Sequence, residues 1–167
     1  MRCIAEPASA PSLPGDGATV PGVTLRGFRG TDVPAISAIV AEALREHYEP
    51  SLYGSLSAEW PAGFLVAADP QDAPAGFLLG VTQVPGEARV LMFAVEQGAR
   101  GTGVGTLLME TFFERCRERG FHRVTLEVRV SNVGAIRFYT RFRYSVIDLL
   151  RAYYSDGENG YHMAVEL

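Results

Sequence analysis

Three glycines within five residues are the strongest chemical signal in this 167-residue chain, in the run Arg100-Gly101-Thr102-Gly103-Val104-Gly105. Glycines at that density let the backbone approach a ligand closely and turn several N–H groups toward it. A helix starting just behind them adds its positive dipole end, so the loop suits an anion such as a pyrophosphate, with Arg100 giving a charge-assisted contact. The same glycines also suit a tight strand-to-helix turn with no ligand, and their spacing is not the dinucleotide-binding fingerprint. Other residue types narrow the chemistry. All 15 basic residues are Arg, which excludes Schiff-base lysine chemistry and a lysine-dependent phosphate loop. Cys3 and Cys116 cannot build a disulfide framework, and no Cys/His cluster has zinc-like spacing, so no metal is expected. His47, His122 and His162 show no triad spacing and receive no role.

These residues need a scaffold, and the composition supplies one. A 47% hydrophobic and 10% aromatic content supports a single folded domain, while a net charge of −4 argues against a general nucleic-acid binder. No apolar run reaches the length of a membrane helix or forms a secretory signal, so a soluble, cytoplasmic protein is expected. Residues 1–22, with four Pro and no periodicity, read as a flexible leader, and 23–167 as the domain. Val23, Leu25 and Phe28 predict a strand; Thr31 then caps a helix carrying Ile36, Ile39, Val40, Ala43 and Leu44. A loop and short helix follow from His47 to Trp60. Strands are predicted over Phe64–Ala68, Gly76–Val84 and Val90–Val95, the last apolar enough to be buried on both faces. A helix from about Thr102 to Glu118, a strand over Arg123–Val130, a helix over Asn132–Arg143, and strands over Tyr144–Tyr154 and Tyr161–Leu167 complete an α/β or α+β sheet with helices on both sides.

A second segment, Leu126-Glu127-Val128-Arg129-Val130-Ser131-Asn132-Val133-Gly134-Ala135-Ile136-Arg137-Phe138-Tyr139, follows the glycine loop in chain order. Together the two resemble the GNAT superfamily of acetyl-CoA-dependent N-acetyltransferases. Arg100, Gly103 and Gly105 match its loop pattern Q/R-x-x-G-x-G/A; Asn132, Ala135 and Tyr139 match its second pattern. The resemblance covers residues 23–167. It is finer toward RimI-type and archaeal-type protein N-terminal acetyltransferases. Leu44-Arg45-Glu46-His47-Tyr48 looks like their L-P-E-N-Y loop, and Arg151-Ala152-Tyr153-Tyr154-Ser155-Asp156-Gly157-Glu158-Asn159-Gly160-Tyr161 like their R-x-Y-Y-x-D-G-E-D-A-Y hairpin. The chain departs at Arg45, His47, Asn159 and Gly160, and Arg143 stands where a Gly usually ends the second helix.

The resemblance implies a mixed central sheet of about seven strands flanked by about four helices, acetyl-CoA as cosubstrate, and direct transfer to an amine with no covalent intermediate. It assigns the cofactor's arm to backbone groups of Phe93, Ala94 and Val95 and to Asn132 and Ala135, and the pyrophosphate to Arg100, Gly101, Thr102, Gly103, Val104, Gly105 and Thr106. It makes Tyr139 the general acid, a role for which a phenol protonated at neutral pH is suited. Glu127, twelve residues earlier, becomes the base, acting through water. Glu46 is the competing base or an amine-binding carboxylate, and Tyr48, Tyr153 and Tyr154 wall a peptide groove. Each has a plainer reading: core packing for the tyrosines, an ion-paired strand residue for Glu127, a helix-end charge for Glu46 and a helix cap for Asn132. Cys116, mid-helix with no base near it, is not expected to carry an acyl group. The acceptor implied is the N-terminal α-amine of a protein, the enzyme acting as monomer or homodimer. A small-molecule amine, a lysine side chain, or a non-catalytic acyl-CoA-binding module are the alternatives. Charge is segregated: net −6 before residue 100 and +2 from residue 100 onward.

Overall fold

The computed structural model describes residues 19–167. The expected leader therefore lies outside the described residues as far as position 18. Thr19–Gly22 forms a turn whose Val20 packs against the core. Strand β1 (Thr24–Gly27) leads through a short 3-10 turn into helix α1 (Val33–Leu44), which buries Ile36, Ile39, Val40 and Leu44 at helical spacing. Asp32, not Thr31, is the residue before this helix, and Arg26 holds its carboxylate at 2.8 and 2.9 Å. Helix α2 (Pro50–Glu59) precedes the antiparallel strands β2 (Phe64–Ala68), β3 (Pro74–Val84) and β4 (Glu87–Val95). Then come α3 (Val104–Glu118), β5 (Arg123–Arg129), α4 (Val133–Arg141), β6 (Ser145–Leu150) and β7 (Gly160–Glu166). The strand expected over Tyr144–Tyr154 stops at Leu150, where a turn with Ala152 at φ 47° begins.

The seven strands form one sheet in the order β1-β2-β3-β4-β5-β7-β6. A mixed sheet with four α-helices meets the sequence expectation. One core cluster joins β4, β5 and β7 residues to Leu108, Phe112 and Cys116 of α3 and to Phe138 and Tyr139 of α4. A second puts Ile36, Ile39 and Val40 of α1 and Tyr53 of α2 against Val66, Phe77, Leu79 and Met92 of the other sheet face.

Two irregularities in β4 shape the site. Leu79 pairs with Met92 but Gly80 with Val90, so Leu91 is an extra residue, a β-bulge that bends the strand. A Cβ at Gly80 would come within 2.3 Å of the Phe112 ring, so the absence of a side chain lets α3 sit close at the bend. Past the bulge β4 leaves its parallel neighbour. The two strands pair at Glu87–Arg123, Ala88–Val124 and Arg89–Thr125, and among the described residues Leu91–Val95 pairs with β3 alone. Strand β5 stays paired with β7 to Arg129. The sheet thus opens between Met92–Val95 and Leu126–Arg129.

Candidate active site

Strand β4 leads through a 3-10 turn and the glycine loop into α3, and β5 through a short loop into α4, so the N-termini of α3 and α4 converge on the carboxyl ends of the splayed strands. That is where parallel strands place ligands, and two helix dipoles favour an anion there. Gly101 at φ 76° and Gly103 at φ 96° occupy left-handed conformations that side chains resist, and Gly103 caps α3. The first-turn N–H groups of α3, from Val104 to Thr106, have no intrahelical acceptors and face outward from the loop. The Thr102 hydroxyl bonds Ala99 O at 2.6 Å. This cradle fits a pyrophosphate, and the strand end Phe93–Val95 beside the opening fits the amide groups of an extended arm. Arg100 is placed otherwise than expected: its Nε donates to Val95 O at 3.0 Å and its guanidinium bonds Glu42 at 2.7 Å, so the side chain braces the loop instead of reaching an anion.

Asn132 accepts the Ala135 N–H at 3.1 Å and caps α4. Tyr139, one α4 turn beyond Ala135, is fully buried against the rings of Phe93, Phe138 and Tyr144, with centroids 6.4, 5.7 and 5.6 Å away. It stands on the α3–α4 face. Glu127 alternates with Leu126 and Val128, which point into that same cluster, so its carboxylate lies on the opposite face. The opening between β4 and β5 lies between the two.

Glu127, 6% exposed, is held by residues that sequence reading missed. Arg89 Nε and its guanidinium tip approach Oε2 at 2.8 and 2.6 Å, and His162 Nδ1 lies 3.1 Å from Oε1. Arg89 also meets the Tyr153 hydroxyl at 3.2 Å. No local signal announces these pairs: Arg89 is 38 residues from Glu127, and His162 becomes its neighbour only through the β5–β7 register.

On the same side of the sheet, the segment joining α1 to α2 faces the β6–β7 hairpin across a cleft of about 810 Å³. Glu46, His47 and Tyr48 line one wall, with Tyr48 hydrogen-bonded to Glu46; Arg129, Asp156 and Glu158 line the other. Arg129 clamps the hairpin, bonding Asp156 at 2.8 Å and Glu158 at 2.6 Å, while Ser131 bonds Glu158 through both its N–H and its hydroxyl. The Ser131 hydroxyl and then Arg129 hold the Glu158 carboxyl below its ordinary value. The hairpin tyrosines depart from expectation. Tyr154 is buried under the Arg129 guanidinium, 4.1 Å above its ring, and Tyr153 turns its hydroxyl to Arg89, so of the three tyrosines Tyr48 is the one lining the cleft.

Cys116 is buried in α3, and burial pushes its thiol up to about 12, leaving no thiolate at neutral pH. Among the described residues no group of His, Cys, Asp or Glu could hold a metal ion, and no helix is long and apolar enough to cross a membrane.

Comparison with known proteins agrees with this fold. The chain is 32% identical over 155 residues to the N-alpha-acetyltransferase of Sulfurisphaera tokodaii, covering 86% of this chain and 92% of that one. The crystal structure of Ard1 from Thermoplasma volcanium matches with a TM-score of 0.84 at 37% identity, over 87% of this chain and 98% of that one. The mycothiol acetyltransferase of Salinispora arenicola is 35% identical over 162 residues, which span 86% of this chain but 50% of that enzyme. Residues 33–144 match the acetyltransferase (GNAT) family. The chain belongs to that family and is an acetyl-CoA-dependent N-acetyltransferase.

Proposed function

We propose that the enzyme acetylates the α-amino group at the N-terminus of a protein or peptide, with the acceptor entering through the cleft between the α1–α2 segment and the β6–β7 hairpin. The observation that carries this reading is the juxtaposition of Glu46 and Tyr48 with the clamped hairpin across that cleft, on the Glu127 side of the opened sheet. The N-alpha-acetyltransferase relative and the Ard1 structure, each matched over most of its length, support it. The buried, unpaired Cys116 accords with a reducing, cytoplasmic setting, and the enzyme acts as monomer or homodimer.

Acetyl-CoA, when bound, supplies the acetyl group as an activated thioester. The 101–106 backbone receives its pyrophosphate and Phe93–Val95 its arm, with Asn132 and Ala135 forming the facing edge. Glu46 attracts the acceptor's ammonium form. An α-amine has a pKa of about 7.7–8.0, so roughly a quarter is already neutral at pH 7.4 and little is asked of a base. Glu127 takes the remaining proton through a water molecule. A carboxylate offers about four acceptor sites; Arg89 and His162 occupy three, which leaves one on Oε1 for that water. Tyr139, from the other face, holds at its hydroxyl the proton that the departing sulfur needs.

The test is thiol release from acetyl-CoA with matched peptides, one free at its N-terminus and one N-blocked with an internal lysine. Turnover on the free N-terminus alone is expected. Turnover confined to the blocked peptide, or to a small amine of the kind the mycothiol relative's name suggests, overturns the reading.

A further inference from the structure

Glu127 is a single buried carboxylate held from two strands, and the two contacts are not equivalent. Arg89 takes Oε2 with two N–H groups. Among the described residues His162 alone takes Oε1, the oxygen that keeps an open acceptor site. An ionised carboxylate only accepts, so Nδ1 of His162 must carry the hydrogen, and in the neutral ring that leaves Nε2 bare. The side chain of His162 is 27% exposed and that of Glu127 is 8% exposed. Backbone register fixes the approach, since Glu127 and His162 are direct cross-strand neighbours in an unbroken β5–β7 ladder. The neighbouring charges are Arg89 on β4 and Asp148, the exposed cross-strand partner of His162 on β6. Arg89 holds Oε2 alone, so without a second contact the carboxylate would twist about χ3 and tilt the open site on Oε1 away from the splayed strands.

We propose that His162 is a positioning residue for the reaction: by donating Nδ1–H to Oε1 it fixes the carboxylate plane of Glu127, so that the open acceptor site faces the incoming amine and its water. This inference rests on Glu127 being the base. The role is that of a hydrogen-bond donor, not of a proton carrier, and the two differ in what can replace the imidazole. Asparagine places an amide N–H where Nδ1 stands but cannot take up a proton.

The experiment joins kinetics to a measurement that needs no turnover. With the free-N-terminus peptide as acceptor, H162A is expected to lower kcat by about tenfold or more, the usual cost of loosening a group that orients a reacting one, with KM for the peptide within about twofold. H162N is expected to regain most of that loss. Nitrogen-15 spectra of the labelled wild-type protein should show the neutral His162 ring protonated on Nδ1, and E127Q should shift that signal. Melting curves identify any variant that fails to fold, and the wild-type spectrum decides the pairing even then. An Nε2-protonated ring, a signal indifferent to E127Q, an H162A enzyme at the wild-type rate, or an H162N enzyme as slow as H162A each overturns the proposal. Undiminished turnover in E127Q, with the His162 signal shifted, instead removes Glu127 as base and so fails the reading beneath the proposal while leaving the contact in place.

Discussion

Tyr139, the proposed acid, holds a position that its own ring secures. Rings on three sides and complete burial leave it one orientation, and the hydroxyl adds little to that packing. Tyr139→Phe should therefore fold like the wild type, bind acetyl-CoA as tightly by calorimetry, and lose about 10²–10⁴ in kcat, the range for a missing acid–base partner. A folded variant at the full rate would leave Tyr139 a core residue and nothing more. The twelve-residue interval from Glu127 to Tyr139 was legible because both lie on one strand-loop-helix segment. Arg89 and His162 were not, since what makes them partners of Glu127 is sheet registry across tens of residues, and registry leaves no mark on the local pattern. The tyrosine hairpin shows the converse: its motif was readable, but burial of Tyr154 depends on Arg129 stacking on it from another strand.

At the scale of elements, α3 and α4 end in the same cap. In α3 the N–H groups of Gly120 and Phe121 return to Arg117 and Cys116 with Gly120 at φ 81°; in α4 those of Arg143 and Tyr144 return to Thr140 and Tyr139 with Arg143 at φ 65°. A non-glycine residue in that conformation costs about 1–2 kcal/mol, and among the described residues the exposed Arg143 side chain has no ion pair to offset it. Arg143→Gly should thus stabilise the domain by about 1 kcal/mol and raise Tm by roughly 2–4 °C. An unchanged or lower Tm would mean that the arginine contributes elsewhere. The departure from Gly was visible in the sequence, and the turn is kept regardless. The β6–β7 hairpin invites a test by pH. The Ser131 hydroxyl and Arg129 lower the Glu158 carboxyl below its ordinary 4.5, and the Glu158 N–H and Arg129 lower Asp156 below 3.8. Groups depressed on folding support the clamp above those ordinary values and release it as pH falls through the depressed ones. Limited proteolysis between Tyr153 and Gly160 should therefore quicken below about pH 4.5, and E158Q should show the same cleavage at neutral pH with a raised KM for the peptide. Cleavage equally slow at both pH values would detach the hairpin from Arg129. Element order was legible from periodicity and turn residues; the Leu91 bulge and the parting of β4 from β5 were not, because both depend on where α3 and Phe112 pack.

Across the whole molecule, the sheet separates an α3–α4 side holding the proposed acid from an α1–α2 side holding the carboxylates, and the opening between β4 and β5 joins them. Charge divides along the chain as well, net −6 before residue 100 and +2 from there on, so a long-range field draws an anion toward the second half and a cation toward the first. Local geometry limits how much that field does. Arg100, the arginine nearest the glycine cradle in sequence, is engaged by Glu42 and by Val95 O, which leaves backbone N–H groups as the proposed contacts of the pyrophosphate. Dipoles at contact distance are screened far less than separated charges, whose interactions fade beyond a Debye length of about 10 Å at 0.1 M salt. The KM for acetyl-CoA should accordingly rise only about twofold between low and 0.5 M salt, with kcat unchanged, far less than ion pairing through exposed arginines produces. Glu42→Gln frees Arg100 to reach the phosphates and should steepen that dependence while lowering KM at low salt. A steep dependence in the wild type would show that Arg100 already leaves Glu42 for the anion; a flat one in both proteins would confine the cradle to its backbone.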